Sequence, residues 1–297
     1  MNLELYKTFY FVSQYGSISK ASEYLYITQP AVSRAIKQLE EALGCTLFTR
    51  TSKGVKLTQE GEILQKYVEQ AFSFISLGER KINDVKNLIS GEIRIGASDT
   101  ICKHYLIPYL KLFNTLHPQI KIHVICPTTP VIINLLKAGK IDFGIINMPL
   151  NDDALYTKSI MEVQDCFIVG QKYRYLSNKR QPLSEIVQHP IILLEKNSNS
   201  RLYIDQYFKN HAVSVIPAFE LGNIDLLVSF AKYDFGIACV IKNFFEEEID
   251  EGKLFEVKPI EQIPSRSIGV VWLKNAPLSK ASIELINYFD YSETSDI

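Results

Sequence analysis

Five side chains suited to binding nucleic acid lie within ten residues of the chain: Thr28, Gln29, Ser33, Arg34 and Lys37. Gln can form two hydrogen bonds with an adenine and Arg two with a guanine, whereas Ser, Thr and Lys bind phosphates. The same side chains would also suit the solvated polar face of an ordinary helix. The cluster indicates a DNA-reading helix only if neighbouring elements can place it in a major groove.

The elements around the cluster have the spacing of a helix-turn-helix. Apolar residues at roughly helical spacing predict a first helix that ends near Gly16, and Ser17 is the candidate N-cap of a short second helix. Thr28 is the candidate N-cap of the next helix, which has Pro30 in its first turn and ends at Gly44. Two short helices with a tight junction can place the second one in the major groove.

A basic hairpin follows the helices. The segment LFTRTSKGVKLT predicts two short strands around a turn at Lys53-Gly54, and Arg50 and Lys53 lie near its tip. Such a wing can reach the DNA backbone or a flanking minor groove. Through Thr58, seven Lys and Arg residues face four Glu residues, whereas the whole chain has a net charge of -1. This mildly basic N-terminal part fits phosphate contact but indicates it only weakly.

From Ser17 to Gly61 the chain resembles the LysR-type transcriptional regulators. The shared features are small residues on the second helix and the positions Thr28 to Ser33, Leu39-Glu40, Leu43-Gly44, Leu47-Phe48, Arg50, Leu57-Thr58 and Gly61. One departure is Ser22, where a second alanine is common. The resemblance implies sequence-specific DNA binding, usually near a promoter. The predicted DNA-contacting set is Thr28, Gln29, Pro30, Ser33, Arg34, Lys37, Arg50 and Lys53.

A long segment without proline follows Gly61 and predicts a linker helix. Its apolar residues alternate in steps of four and three: Leu64, Val68, Ala71, Ile75, Gly78, Ile82, Val85 and Ile89. A seam of this kind needs a partner, either a second copy of the helix or the helix's own domain. We favour dimerisation, because two DNA-reading helices must be held about one DNA turn, or a multiple of it, apart to read a two-fold site. The resemblance agrees, since it implies dimers through this helix and often tetramers.

The remaining residues predict two α/β lobes. Strands such as EIRIGAS, KIHVIC and DFGIIN alternate with helical segments, which predicts parallel sheet. The pattern changes around MEVQDCFIVG, a candidate crossing into a second lobe, and RSIGVVWLK is the candidate return strand. The resemblance implies the same arrangement, similar to periplasmic solute-binding proteins. We predict a winged helix-turn-helix at 1–58, a linker helix at 59–89 and a regulatory domain at 90–297, with lobe I at about 90–162 and 265–297 and lobe II at about 163–264.

Short polar residues follow several predicted strands, where helix N-termini would point into a cleft between the lobes. The predicted effector-binding set is Ser98, Thr100, Thr128, Asn147, Ser198, Ser200, Arg201 and Asn223. Hydroxyls, amides and helix dipoles together suit an anionic or zwitterionic molecule. Each of these residues could instead be an ordinary helix cap or turn residue. Only their convergence at several junctions favours a pocket.

Two charged residues at this cleft leave alternatives open. The guanidinium of Arg201 can pair with a ligand carboxylate, or with Glu220 or Asp225 as a structural link. The carboxylate of Asp99 would repel an anion unless it points away from the cleft.

Other functional classes find less support. The chain has no GxSxG, HExxH, Walker or GxGxxG motif, and its histidines are dispersed, so we predict no enzyme, no catalytic residue and no cofactor. Its five cysteines lack metal-ligand spacing, so no metal site is expected. Peroxide-sensing members of the family use two cysteines in the second lobe, and here Glu195 to Val215 contains none. Cys102, beside the first pocket loop, is the one cysteine that keeps a redox alternative open.

The expected partners follow from this interpretation. They are double-stranded DNA carrying an interrupted palindromic promoter site, a small-molecule effector, further copies of the chain and RNA polymerase. The N-terminal residues lack a basic segment and a cleavage site, so no signal peptide is expected, and no apolar run approaches the roughly 20 residues of a membrane span. A solute-binding transport protein would explain the lobes but not the helix-turn-helix. We therefore expect a cytoplasmic regulator.

Overall fold

The computed structural model describes residues 2–51, 54–86, 91–196 and 198–291. The chain divides into two compact units, Met1–Ile82 and Asn83–Ile297. The elements of the first unit are α1 (Leu3–Tyr15), α2 (Ile18–Leu25), α3 (Gln29–Leu43), β1 (Phe48–Thr51), β2 (Gly54–Leu57) and α4 (Gln59–Lys86), of which α4 runs past the boundary.

The predicted helix boundaries in the first unit are confirmed. Helix α1 ends at Gly16, whose φ of 58° lies in the left-handed region that glycine adopts without strain. The hydroxyl of Ser17 accepts from the backbone N–H of Lys20, and that of Thr28 accepts from the N–H of Ala31. These bonds satisfy N–H groups that have no partner within their helices, and so they set where α2 and α3 begin.

The three short helices enclose a core to which α4 also contributes. Its fully or nearly fully buried apolar residues are Phe9, Val12, Ala21, Val32, Ile36, Leu39, Leu47 and Val68. Ser22, which replaces the usual alanine, is buried, and its hydroxyl donates to the carbonyl of Ser19 at 2.7 Å. This bond satisfies the hydroxyl locally, so the departure from the family pattern leaves no unpaired polar group at this position of the core.

Strands β1 and β2 form the predicted antiparallel hairpin, in which Arg50 is opposite Val55. The predicted turn residue Lys53 lies outside the described residues. The carboxylate of Glu40 on α3 accepts from the backbone N–H groups of Leu47 and Phe48, at 2.7 and 3.3 Å. The hairpin is therefore anchored directly to the helix that carries the polar cluster.

The predicted seam of α4 is buried at one end and exposed at the other. Val68 is buried and Leu64 packs against the core of the first unit, whereas Ile75 and Ile82 are 45% and 58% exposed. Further apolar side chains are exposed on the same helix: Ile63, Tyr67 and Phe74. The seam positions Val85 and Ile89 lie outside the described side chains. The first part of the helix thus packs against its own domain, whereas dimerisation through the exposed part stays a prediction.

The second unit contains two lobes with one sheet path running through both. Its strands are β3 (Glu92–Ala97), β4 (Lys121–Ile125), β5 (Phe143–Asn147), β6 (Leu155–Val169), β7 (Ile191–Leu194), β8 (Phe219–Leu221), β9 (Ile237–Ile241), β10 (Phe255–Val257) and β11 (Ser265–Leu273). Its α-helices are α5 (Asp99–Ile101), α6 (Ile107–Leu116), α7 (Thr129–Lys137), α8 (Leu183–Ile186), α9 (Asn199–Asn210), α10 (Ile224–Lys232), α11 (Glu246–Asp250) and α12 (Lys280–Tyr288). A π-helical turn, Cys102–Leu106, joins α5 to α6.

The strands follow the order β4-β3-β5-β11-β6-β9-β7-β8, and β10 pairs with β6. Two long strands connect the lobes, because β6 pairs with β11 up to Gln164 and with β9 from Asp165 onward. The prediction of parallel sheet is therefore only partly correct. The pairs β3–β4, β3–β5, β7–β8 and β7–β9 are parallel, but β6 and β11 are antiparallel since one leaves lobe I and the other returns to it.

Within the described ranges, no helix combines the length and apolar character needed to cross a membrane.

Candidate DNA interface and effector cavity

Helix α3 has one buried face and one exposed polar face. Val32, Ile36 and Leu39 recur at steps of four and three and point into the core. On the other side, the predicted DNA-contacting residues Thr28, Gln29, Pro30, Arg34 and Lys37 are exposed, and Ser33 is partly buried. The helical period thus brings these six residues to the start and outer face of one helix, where they can meet a DNA groove.

The cations of this surface are available to an anion. Lys37 has only an exposed contact with Glu41 at 3.7 Å, which contributes little because water screens it. In the described part of the chain, Arg34 and Arg50 have no carboxylate within ion-pair distance. Arg50 is exposed on β1, so the anchored hairpin presents a second positive charge. An exposed polar helix with a basic hairpin beside it can bind the phosphate backbone and read base edges.

A cavity of about 160 Å³ lies between the two lobes. The loops after β3, β4, β7 and β8 and the last residues of β5, β7 and β9 form its wall, which consists of Ser98, Asp99, Thr100, Cys126, Pro127, Thr128, Thr129, Asn147, Leu194, Ser198, Asn199, Ser200, Gly222, Ile224 and Ile241. Six predicted effector-binding residues are brought together here: Ser98, Thr100, Thr128, Asn147, Ser198 and Ser200. Within each lobe the ends of the parallel strands meet at one edge of the sheet, which explains the convergence on that side. The two sides meet because β6 and β11 connect the lobes.

The other two predicted effector-binding residues do not line the cavity. The side chain of Arg201 is 4% exposed, and its guanidinium contacts Glu220 at 2.9 Å, Asp205 at 2.8 Å and the carbonyl of Leu194 at 2.6 Å. This geometry favours the structural alternative for Arg201 over a bond to a ligand carboxylate. Of the two carboxylates considered from the sequence, Glu220 on β8 pairs with Arg201, whereas Asp225 pairs with Lys103.

Asn223 and its neighbour Asp225 connect the two lobes. The side-chain oxygen of Asn223 accepts from the N–H groups of Asp225 and Leu226, and its Nδ2 donates to Asp99 Oδ2 at 2.9 Å. The second oxygen of Asp99 accepts from the N–H of Thr100. Lys103 Nζ lies 2.7 Å from Asp225 Oδ1. Both oxygens of Asp99 are thus engaged, which reduces the repulsion that its charge would exert on an anion.

The hydroxyl groups of the cavity are oriented by bonds to the protein. Ser98 Oγ accepts from the N–H of Ile101, Ser198 Oγ from the N–H of Arg201, and Ser200 Oγ from Nη2 of Arg266. A serine hydroxyl that accepts one bond still has its own proton to donate. Thr128 precedes α7 but its side chain makes no capping hydrogen bond, so no helix N–H occupies its hydroxyl oxygen. The cavity is therefore rich in hydrogen-bond donors.

Cys126 also lines the cavity, which sequence reasoning missed. It follows β4 as Ser98 follows β3, and the parallel register that pairs Gly96 with Ile125 brings the two loops together. The pKa of Cys102 is raised to about 11, mainly because the thiol is partly buried and also because Cys126 and the Asp99 carboxylate lie nearby. Cys102 is therefore a protonated thiol at neutral pH and a weak nucleophile.

Comparison with known families covers nearly the whole chain. Residues 3–62 match the family described as bacterial regulatory helix-turn-helix protein, lysR family. Residues 86–291 match the LysR substrate binding domain. The helix-turn-helix and the two lobes each correspond to one of these matches.

Individual relatives show the same organisation. A probable RuBisCO transcriptional regulator of Thalassiosira pseudonana is 26% identical over 293 residues, covering 94% of each chain. The HTH-type transcriptional regulator CysL of Bacillus subtilis is 27% identical over 223 residues, 75% of each chain. Among solved structures, full-length CbnR with its target DNA is similar with a TM-score of 0.69 at 16% identity, covering 98% of this chain and 100% of that one. HinK from Pseudomonas aeruginosa has a TM-score of 0.60 at 24% identity, covering 98% of both. The chain belongs to the LysR family of DNA-binding transcriptional regulators.

Proposed function

We propose that this regulator reads a two-fold promoter site through α3 and the hairpin, and that a small anionic or zwitterionic metabolite in the interlobe cavity controls it. The observation that carries the proposal is the convergence of six predicted polar residues on one cavity in the domain that the family uses for ligands. The DNA-contacting residues are proposed to be Thr28, Gln29, Pro30, Ser33, Arg34, Lys37, Arg50 and Lys53.

The exposed half of α4 supports self-association. Ile75 and Ile82 continue the apolar seam after it leaves the core of the first unit, and both are substantially exposed. Burying apolar surface of this kind against a second copy of the helix is favourable. We propose a dimer through α4, which would present two α3 helices to a palindromic site.

Donor groups and helix N-termini support the ligand class. Helices α7, α9 and α10 begin at Thr129, Asn199 and Ile224, which all line the cavity. The partial positive charge of a helix N-terminus favours an anionic group. The ligand would shift the equilibrium between two lobe arrangements in proportion to its differential affinity for them.

The proposal also covers catalytic activity, the cellular compartment and RNA polymerase. The family consists of transcriptional regulators, and we propose that this chain has no catalytic activity of its own. A protein that reads promoters must reach the chromosome, so we propose that it acts in the cytoplasm. RNA polymerase is a proposed partner at the promoter.

Two measurements test the proposal on the full-length protein. Selection from random duplexes should return a two-fold motif, and a duplex that carries the motif should bind far more tightly than a scrambled one. A thermal-shift screen of carboxylates and amino acids should find ligands, since a ligand at 100 times its dissociation constant adds about 2.7 kcal/mol of stability. Absence of any selected motif would contradict sequence-specific DNA reading. Absence of any ligand that requires Ser98 or Thr128 would contradict the sensing role of the cavity.

A further inference from the structure

The side-chain oxygen of Asn147 is an acceptor without a partner in the described ranges, in a cavity whose serine hydroxyls are donors. Asn147 is the last residue of β5 and lines the cavity, yet it is only 8% exposed, and its Oδ1 is buried with no hydrogen-bond partner among the described residues. Its backbone carbonyl accepts from Asn199 Nδ2 across the cleft, at 3.4 Å. The side chain is therefore not needed for that link between the lobes. A buried, unpaired acceptor gains a full hydrogen bond when a donor reaches it.

The serine hydroxyls present the opposite polarity. Ser98, Ser198 and Ser200 each accept a bond from the protein and retain a proton to donate. A ligand that carries an acceptor group for these hydroxyls and a donor group for Asn147 Oδ1 would complement both. A carboxylate supplies the acceptors, and a hydroxyl or ammonium group supplies the donor.

The charges around the cavity limit how many carboxylates the ligand can carry. Among the described residues that line the cavity, the only charged side chain is that of Asp99. Arg266 and Arg201, the buried cations near Ser200, are paired with Asp165 and with Glu220 and Asp205. A second carboxylate on the ligand would thus have no cation of the wall to meet.

A second carboxylate of the protein lies close to the wall. Gly222 lines the cavity, and a methyl group in place of its hydrogen would lie 3.2 Å from Glu195 Oε1. The Glu195 side chain is exposed, so water and salt screen its charge, and it disfavours a dianion only weakly.

We propose that the effector is a small monocarboxylate that also bears a hydroxyl or ammonium group, with the carboxylate bound by the serine hydroxyls and the donor group bound by Asn147. This inference rests on the proposed ligand-sensing function and narrows it. The volume of about 160 Å³ suits a molecule of few heavy atoms. Asn147 is then the residue that separates such ligands from plain carboxylates of the same size.

The test compares matched probes on the full-length protein by thermal shift and calorimetry. The first set is propionate, lactate and alanine, the second is butyrate, 2-hydroxybutyrate and 2-aminobutyrate, and succinate serves as the dianion. The donor-bearing members should bind about tenfold or more tightly than the plain carboxylate of each set. Succinate should bind no better than butyrate.

Substitutions at Asn147 test whether this residue causes the preference for ligands with a donor group. Asn147→Leu should abolish the difference within each set, while binding of propionate and butyrate changes little. Asn147→Asp, which keeps the acceptor and adds charge, should favour the ammonium over the hydroxyl compound, so this variant decides the matter if the leucine variant folds poorly. DNA binding by each variant serves as the check of folding.

Equal binding within each set would overturn the inference, and so would a donor preference that survives Asn147→Leu. An Asn147→Asp variant that binds the ammonium and hydroxyl compounds equally well would also overturn it. So would failure of every probe to bind a folded protein that still responds to other ligands through Ser98. In those cases the sensing function stands and only the ligand class is wrong. If no compound of a broad screen binds the cavity, the proposed sensing function fails as well.

Discussion

Arg266 and Asp165 form a buried, bidentate ion pair on the two strands that connect the lobes. Arg266 Nε lies 2.5 Å and Nη2 2.9 Å from the two carboxylate oxygens, and both side chains are almost fully buried. Nη2 also donates to Ser200 Oγ at 3.1 Å. The charge pair at the lobe junction is thus in direct contact with a residue of the cavity wall.

Removing one member of this pair should be strongly destabilising. In Arg266→Met the Asp165 carboxylate stays buried without its cation, and we expect a loss of about 3–5 kcal/mol in the free energy of unfolding. Urea denaturation of the full-length protein measures this loss. The double variant Asp165→Leu/Arg266→Met should recover most of it, and Lys158→Met, which breaks a more exposed pair with Asp290, is the control. A single variant within about 1 kcal/mol of the parent would contradict this expectation.

Arg34→Ala should weaken binding to the selected DNA site by about 1–3 kcal/mol, if the guanidinium reads a base. Binding to a scrambled duplex should change much less, because base contacts contribute only to the specific complex. Fluorescence anisotropy at fixed salt measures both affinities. Lys7→Ala on α1, outside the predicted DNA-contacting set, should leave them unchanged. Equal losses on both duplexes would assign Arg34 to phosphate contact instead.

Thr128→Val should remove the response to ligand and spare DNA binding. The Thr128 hydroxyl caps no helix N–H, so its loss should cost little stability, while valine keeps the shape of the side chain. The thermal shift produced by a ligand from the screen should fall severalfold or vanish. Thr115→Val, at an exposed position of α6, is the matched control. A full ligand response in Thr128→Val would remove this residue from the proposed site.

Gly61→Ala should destabilise the DNA-binding unit although the position is helical. A Cβ there would lie 2.2 Å from the Leu47 carbonyl oxygen and 2.9 Å from Leu57 Cδ2, so the hairpin and α4 would have to separate. We expect a cost of about 1–3 kcal/mol in the free energy of unfolding, as for other overpacked positions. Urea denaturation measures it.

Gly78→Ala on the same helix is the matched control. A Cβ at this position meets no atom within 4 Å, so the substitution should instead stabilise the helix by roughly 0.5–1 kcal/mol. If Gly61→Ala were instead the more stable of the two variants, the close contacts at Gly61 would not exclude a larger side chain.

Cys102 should react slowly with alkylating agents, and its rate should rise with pH. Its pKa is raised from 9.0 to about 11 by burial, Cys126 and Asp99, so the reactive thiolate is scarce at neutral pH and grows about tenfold per pH unit up to that value. Mass spectrometry after iodoacetamide treatment at about pH 7 and pH 9 measures this, with the exposed Cys126 as the internal reference. Rapid formation of a Cys102–Cys126 disulfide with peroxide at neutral pH would contradict it and favour redox sensing.

Local pattern in the sequence was enough to predict the helix caps and the exposed polar face of α3. The caps at Ser17 and Thr28 bond to residues three positions away, and the two faces of α3 follow from the helical period. Six cavity residues were predictable for a related reason. They lie at strand ends or in the loops that follow, and within each lobe parallel strands place their ends together whatever their separation in the chain.

The tertiary structure decided the features that depend on partners far apart in the chain. Arg201 lies 19 residues from Glu220, Asn223 lies 124 from Asp99, and Arg266 lies 101 from Asp165. No periodicity relates such positions, so the sequence left the partner of Arg201 open and did not indicate the pair at the lobe junction. The direction of β6 and β11 was hidden for the same reason, because it depends on how the chain crosses between lobes. The sequence thus determined where helices and strand ends carry polar groups, and the packing of the lobes decided which of those groups stay free for a ligand.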